Sequence, residues 1–486
     1  MALTSYGTAL SLHAEREPDL PLVVCEGRAV TRGEVERCAN RLARAYAERG
    51  VGQGDFVTLA LPNGIEAVAS AFAIWKLGAV PQPISWHLPE VERAGIIELA
   101  KPALIVGAQE GSYAFPCVPA GFEPAAGLSD APLESRISPS RQIITSGGST
   151  GRPKLIVDKV PAQIDPDAPS YTVAPGTHTL IPGPMYHAGP FLNCHWTILV
   201  GGFVAIMSRF DAETALQLIE EYRVQFVNFV PTMLQRIWRL DDAVRKRYDL
   251  SSLERVAVSG AKCPAWLMRA WIEWLGPDRM AESYGASERI GGTMITGREW
   301  LEHPGSVGRP TDGRKIRVLD AEGKDVPPGE IGELYMMPPG GPGSTYYYIG
   351  ESQARATHDG WESLGDMGSL DEDGFLYLVD RKTDMIVTGG ANVYPAEVEA
   401  AIDAHPHVQS SAVIGLPDED LGDRVYAIVQ AVPPVTEEEL RAHLSERIDR
   451  YKIPRSFEFT DEPLRDDAGK VRRSRLREAR LPGSDA

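Results

Sequence analysis

Thr145-Ser146-Gly147-Gly148-Ser149-Thr150-Gly151-Arg152-Pro153-Lys154 packs small and hydroxylated residues together and closes them with a Pro-Lys pair. Glycine lets a backbone reach positive φ and come close to a ligand, because no Cβ stands in the way. Hydroxyls, loop N–H groups and a nearby ammonium suit a polyphosphate. The spacing is not that of the P-loop, which needs Gly-Lys-Ser/Thr at the start of a helix. Alone, the stretch reads equally well as a polar turn between strands. The rest of the chain decides between the two.

On either side of it, strands alternate with helices. Thr31 followed by Glu34, with apolar Val35, Ala39, Leu42, Ala43 and Tyr46, predicts a capped amphipathic helix that stops at Gly50. Strand patterns at Asp55–Leu61, Ala103–Val106, Val224–Val230 and Val256–Val258 are interleaved with helical ones at Ile65–Leu77, after Pro231 and at Pro264–Leu275. This order predicts an α/β fold of mainly parallel sheets covered by helices. From about Arg309 to Asp380, short strands separated by Gly/Pro/Asp turns predict a small β-rich subdomain. A last block has its own strands and helices. The expected division is a large N-terminal domain, 1–380 (subdomain 309–380), and a small mobile α+β domain, 381–486.

With 486 residues the chain is too long for one core. A hydrophobic fraction of 43% with 24% charged residues is that of a globular enzyme, and a net charge of -18 argues against nucleic acid or an anionic membrane as partner. The five cysteines are scattered without metal-ligand spacing and read as reduced thiols of a cytoplasmic protein. Met1–Glu17 has no basic stretch followed by an apolar one, and Ala67–Ile84 is interrupted by Lys76 and prolines, so neither a secretory leader nor a membrane span is expected. Trp266, Trp271 and Trp274 lie at helical spacing and are expected in a core.

Further segments follow in order: Pro184-Met185-Tyr186-His187-Ala188-Gly189, Ser259-Gly260-Ala261, Tyr284-Gly285-Ala286-Ser287-Glu288 after a short helix, Gly365-Asp366, Asp380-Arg381-Lys382-Thr383-Asp384, the run Gly389–Glu399, and Gly469-Lys470-Val471-Arg472. Together they resemble the adenylate-forming superfamily of acyl-CoA synthetases, peptide-synthetase adenylation domains and firefly luciferase, over about Val30–Leu476. Cys263–Leu267, Trp274–Pro277 and Ile295–Trp300 look most like bacterial fatty-acyl or bile-acid CoA ligases. The resemblance implies ATP- and Mg²⁺-dependent activation of a small-molecule acid as acyl-adenylate, then transfer to CoA.

It also implies roles. Ser146, Gly147, Gly148, Ser149, Thr150, Gly151 and Lys154 would hold the β- and γ-phosphates. Glu288 would bind Mg²⁺, a hard cation suited to carboxylate and phosphate oxygens. Ser287 would touch the α-phosphate. Asp366 would take the ribose hydroxyls, supported by Arg381 and Lys382. Ser259, Gly260, Ala261, Tyr284 and Gly285 would surround the adenine, with Gly285 also bordering the acid. Tyr186 and His187, with Trp196 nearby, would line the acyl pocket. Lys470 would reach the α-phosphate and acyl oxygens, and its domain would swing between two half-reactions.

Gly147 stands where many members have serine, Ser287 where threonine is commoner, and Leu364 where many have threonine. Thr383 occupies the usual Asp or Lys hinge position, leaving the pivot to Lys382, Thr383 and Asp384. Lys262 replaces a proline at the pocket; an ammonium there must face water or meet an anion, such as an acidic group of the substrate. Other acceptors stay open: a carrier-protein thiol, an amine, or nitrite activated for diazo formation. So does a non-catalytic nucleotide sensor, which would have no need of both Glu288 and Lys470. Monomer and homodimer are both compatible with the sequence.

Overall fold

The Thr31 hydroxyl accepts from the Glu34 N–H while the Glu34 carboxylate accepts from the Thr31 N–H, so the expected capping box starts the helix Arg32–Ala47. Val35, Ala39, Leu42, Ala43 and Tyr46 are its buried stripe. They pack on the helix Ile65–Lys76, which is buried nearly all round. Lys76, whose charge interrupts that apolar run, is buried against Glu36 at 2.9 Å and also donates to Ser11 Oγ at 2.9 Å. A buried ammonium is tolerable only with such partners. The computed structural model describes residues 3–147, 153–170, 173–350, 355–357, 359–418, 420–432, 434–466 and 469–481.

Among these, nine strands form the largest sheet, in the order Arg309–Pro310, Gly292–Thr296, Met280–Gly285, Arg255–Val258, Phe226–Phe229, His178–Ile181, Phe203–Ile206, Pro21–Cys25, Arg28–Thr31. The six from Met280–Gly285 to Pro21–Cys25 pair in parallel. A second, four-stranded sheet (Val80–Pro83, Phe56–Leu59, Leu104–Val106, Cys117–Val118) is parallel throughout. The α/β reading holds. Ligands of such sheets bind outside the carboxyl ends of the strands. Those of four neighbouring strands, His178–Ile181, Phe226–Phe229, Arg255–Val258 and Met280–Gly285, lead directly into residues 182–187, 230–232, 259–262 and 286–288.

Three features differ from expectation. Tyr284 and Gly285 do not follow a short helix; they end the strand Met280–Gly285. The preceding helix, Ala265–Leu275, stops earlier at Gly276, whose φ of 91° is glycine's region. Arg309–Pro310 pairs with Gly292–Thr296 at the edge of the large sheet, while the β-rich unit is built from Lys315–Leu319, Gly332–Met337, Asp366–Leu370 and Leu376–Arg381 with shorter pieces. An antiparallel sheet joins Ile143–Gly147, Pro153–Asp158 and Tyr346–Ile349, bringing a strand nearly 200 residues away in sequence to the opening motif. Trp271 is buried in the core, with Trp266 and Trp274 packed against it, as expected.

In the C-terminal region, Val408–Asp418 and Gly422–Ala431 form a hairpin extended by Ile386–Thr388, Ala391–Val393 and the parallel Ser456–Phe459. Helices Pro395–Asp403 and Glu437–Ser445 bury Val398, Ile402, Leu440 and Leu444 on it. No helix among the described residues is long and apolar enough to cross a membrane.

Candidate active site

Glu288 is buried, and its Oε1 accepts from the Tyr348 hydroxyl at 2.8 Å and faces Lys154 Nζ at 3.4 Å. The same ammonium lies over the Tyr348 ring, 4.1 Å from its centre. The Thr345 hydroxyl donates to the Glu288 carbonyl at 2.8 Å. Burial, then the Glu288 charge, pushes the Tyr348 phenol up, so it stays a donor. Tyr348 was not foreseen: nothing in a tyrosine run signals a partner 60 residues away. Ser287 is half-buried beside Glu288. Gly148, Ser149, Thr150 and Gly151 lie outside the described residues. Ser146 and Gly147 stand opposite Lys154 and Pro153 in the antiparallel register.

The described residues hold no cluster of three or more His, Cys, Asp or Glu that would cage a metal. A single carboxylate fits Mg²⁺, which keeps water and phosphate oxygens for most of its ligands. Glu288 would hold it, and the ion would supply charge neutralisation for phosphate.

Across the site, Asp366 takes the Tyr284 hydroxyl at 2.6 Å and lies 3.3 Å from Arg381 Nε. The register that pairs Asp366 with Arg381 across adjacent strands fixes this contact. Lys382, expected with them, has its ammonium on Glu333 at 2.8 Å. Glu333 also takes the Ser363 hydroxyl at 2.7 Å, so Lys382 ties its segment to the β-rich unit.

Ser259 donates to Asn228 Oδ1 at 3.0 Å, joining the ends of two neighbouring parallel strands. Gly260 has φ +85°, and a Cβ there would stand 3.3 Å from Val230. Ala261 is exposed next to it, as is Gly285 at its strand end. The Lys262 ammonium donates to the Leu378 carbonyl at 2.7 Å, which uses one of its three N–H donors. Burial lowers its pKa, opposed by Glu282, Glu397 and Asp380. Glu282 itself, fully buried and accepting from the Cys263 N–H at 2.9 Å, is pushed up to about 8 by burial.

His187 caps the helix Ala188–Leu199, with its ring 4.6 Å from that of Tyr186. Its Nε2 is buried without a hydrogen-bond partner among the described residues. Burial first and the Lys470 charge second lower its pKa to about 3, so the imidazole is neutral. Trp196, further along the same helix, is buried and donates to the Tyr6 hydroxyl at 3.3 Å.

The tail completes the site. A Cβ on Gly469 would meet Thr232 Oγ1 at 2.7 Å and Val230 at 3.4 Å, so the chain lies directly on the start of the helix Pro231–Trp238. Burial lowers the Lys470 pKa; Asp466 and Glu288 raise it and Arg381 lowers it further. Lys470 therefore feels Glu288, Arg381 and His187 at once. Between earlier parts of the chain and the C-terminal region, Glu92 Oε2 meets Arg475 at 3.1 Å and Arg472 at 3.5 Å, Gln235 donates to the Asp403 carbonyl at 3.3 Å, and Arg239 to that of Val408. Asn228, Thr232 and Glu92 had no local signal in the sequence.

Family models bear on this geometry. That of the AMP-binding enzymes matches residues 10–347, and that of the AMP-binding enzyme C-terminal domain matches 397–470. The chain belongs to the AMP-binding enzyme family. It is 33% identical to a feruloyl-CoA synthase of an Amycolatopsis species, over 96% of each chain. It is 29% identical to a fatty acid–[acyl-carrier-protein] ligase of Streptomyces coeruleorubidus, over 96% of this chain and 95% of that one. The o-succinylbenzoate coenzyme A synthetase of Bacillus subtilis, solved with ATP and a magnesium ion, superposes with a TM-score of 0.81 at 25% identity, over 98% of this chain and all of that one. As an AMP-forming ligase of this family, the enzyme uses ATP, Mg²⁺ and CoA to activate a small-molecule carboxylic acid and transfer it to the thiol.

Proposed function

We propose that the acid is a monocarboxylic acid with an uncharged, apolar body, aromatic acids included. The wall offered to it comprises Tyr186, the neutral His187 and Val230, while the ammonium of Lys262 is engaged by Leu378. A second carboxylate would have to draw the Lys262 ammonium away from that carbonyl, whereas an apolar body leaves the contact in place.

Glu288 would hold Mg²⁺, which would neutralise phosphate charge, and Lys154 with the glycine-rich loop would hold the leaving phosphates. Ser287 faces the α-phosphate. Asp366 binds the ribose hydroxyls, held by Tyr284 and Arg381. Ser259, Gly260, Ala261 and Gly285 border the adenine. A carboxylate oxygen attacks the α-phosphorus, the bond to the bridging oxygen breaks, and pyrophosphate leaves. Lys470 offsets the charge that gathers on the non-bridging oxygens. The domain from about 381 onward then turns, the thiol sulfur attacks the acyl carbon, AMP departs and the thiol proton passes to solvent.

What supports this reading is the seat of the Lys470 segment on the strand ends, with Gly469 against Val230 and Thr232, and the coupling of the Lys470 charge to Glu288, Arg381 and His187. The test is pyrophosphate release over a panel of aromatic, fatty and dicarboxylic acids and nitrite, with and without CoA. Thioester formed from aromatic or fatty monoacids supports it; preference for a dicarboxylate or nitrite overturns the proposed substrate. A carrier-protein thiol is the second acceptor to include, and CoA-independent turnover would favour it. The free cysteines accord with a cytoplasmic protein.

A further inference from the structure

Arg465 and Arg473 lie on either side of Lys470 in the sequence, and both end on one carboxylate. Glu399, on the helix Pro395–Asp403, is buried. Its Oε2 takes Arg473 at 2.8 Å and Arg465 at 3.3 Å. Its Oε1 takes Arg473 Nε at 3.2 Å and the Val413 N–H at 2.8 Å. Four donors use the acceptor capacity of an ionised carboxylate.

Each arginine is also tied elsewhere. Arg465 donates to the Gly469 carbonyl at 3.3 Å, the Ser411 carbonyl at 3.1 Å and the Ser410 hydroxyl at 3.2 Å. Arg473 reaches Asp384, in the expected pivot, at 2.8 Å. Asp466 accepts from the Lys470 N–H at 2.9 Å and returns its own N–H to the Lys470 carbonyl at 3.0 Å. The backbone that bears the ammonium is thus pinned before and after Lys470 to one buried anion, and through Arg473 to the pivot.

We infer that Glu399 is a positioning residue for adenylate formation: with Arg465 and Arg473 it clamps the Lys470 loop, so that the ammonium arrives at the reacting phosphate as part of a rigid body. A long flexible side chain gains this precision only from the backbone beneath it, and about 1 Å of misplacement can cost roughly a hundredfold in rate. The inference rests on the proposed role of Lys470, which serves only the first half-reaction.

The experiment times the two half-reactions separately: single-turnover pyrophosphate release from ATP and acid, and thioester formation from supplied acyl-adenylate and CoA. In Glu399→Gln the first is expected to fall about 10- to 100-fold, with KM for ATP nearly unchanged and the second half-reaction within about twofold. Arg473→Lys keeps the charge, loses the fork and folds more securely; a smaller loss confined to the same half-reaction is expected. Equal losses in both half-reactions, or an unchanged first one in both variants, would overturn the clamp. Lys470→Ala is run beside them: if adenylation survives there, the role of Lys470 fails instead, and the two failures are distinguishable.

Discussion

Lys154 and Lys470 both bring positive charge towards Glu288, and they are held in opposite ways. Lys154 lies near the start of the strand Pro153–Asp158, with its ammonium between a buried carboxylate and a tyrosine face. Lys470 has its backbone secured within its own domain, while its ammonium has no hydrogen-bond acceptor among the described residues. On the proposed roles, a charge needed whenever ATP is bound, as for Lys154, is best preorganised, because nothing then reorganises as the reaction proceeds. A charge needed for one step is best carried on a body that can leave. Polar contacts join this region to the rest of the chain: Glu92 with Arg472 and Arg475, and two side-chain donors on carbonyls of the C-terminal region.

The largest effect should separate the two lysines directly. Lys470→Ala is expected to slow adenylate formation about 10²- to 10³-fold, the usual range for one lost transition-state donor, with ATP affinity and thioester formation from supplied adenylate spared. Lys154→Ala should instead raise KM for ATP. If both variants gave the same kinetic split, the contrast would be lost. Glu288→Gln should raise the magnesium concentration for half-maximal rate at least about tenfold, read from a metal titration of pyrophosphate release. An unchanged titration would place the ion elsewhere.

Smaller effects probe the seating and the pocket. Glu92→Ala removes exposed pairs worth at most about 1 kcal/mol each, so adenylation should fall roughly two- to fivefold at low salt, with the difference shrinking as salt is raised. Loss of the thioester step instead would mean that Glu92 acts in the other domain arrangement. His187 sharpens the pocket side through pH. Its folded pKa, about 3, lies below the ordinary 6.5, so between these values the unfolded chain binds a proton that the folded one does not. Its contribution to stability is full above 6.5 and is lost as pH falls through that window. Replacing His187 with asparagine should flatten the decline of Tm below pH 6.5 and leave Tm at pH 8 comparatively little changed.

Much of this architecture is legible locally. The Thr31 capping box, the apolar stripe of Arg32–Ala47 and the β-branched strands of the large sheet follow from spacing and side-chain shape, and they form as read. Positions that depend on register do not read that way. Tyr348 reaches Glu288 because Tyr346–Ile349 pairs with Pro153–Asp158, and Asn228 meets Ser259 because two parallel strands are neighbours. Lys262 and Lys382 likewise meet partners no local pattern names, a carbonyl and a carboxylate brought in by packing.

Chain order alone determined the alternation of strands and helices, the run of glycine-rich and acidic motifs, and the chemistry those residue types suit. That information is short-range, carried by periodicity, caps and the side chains themselves. Only the tertiary structure decided which carboxyl strand ends lie side by side, which lysines are free to meet phosphate, and that one buried glutamate grips both flanks of Lys470. Such contacts span tens to hundreds of residues, and sheet pairing and domain docking select them rather than any pattern within reach of a single turn or strand.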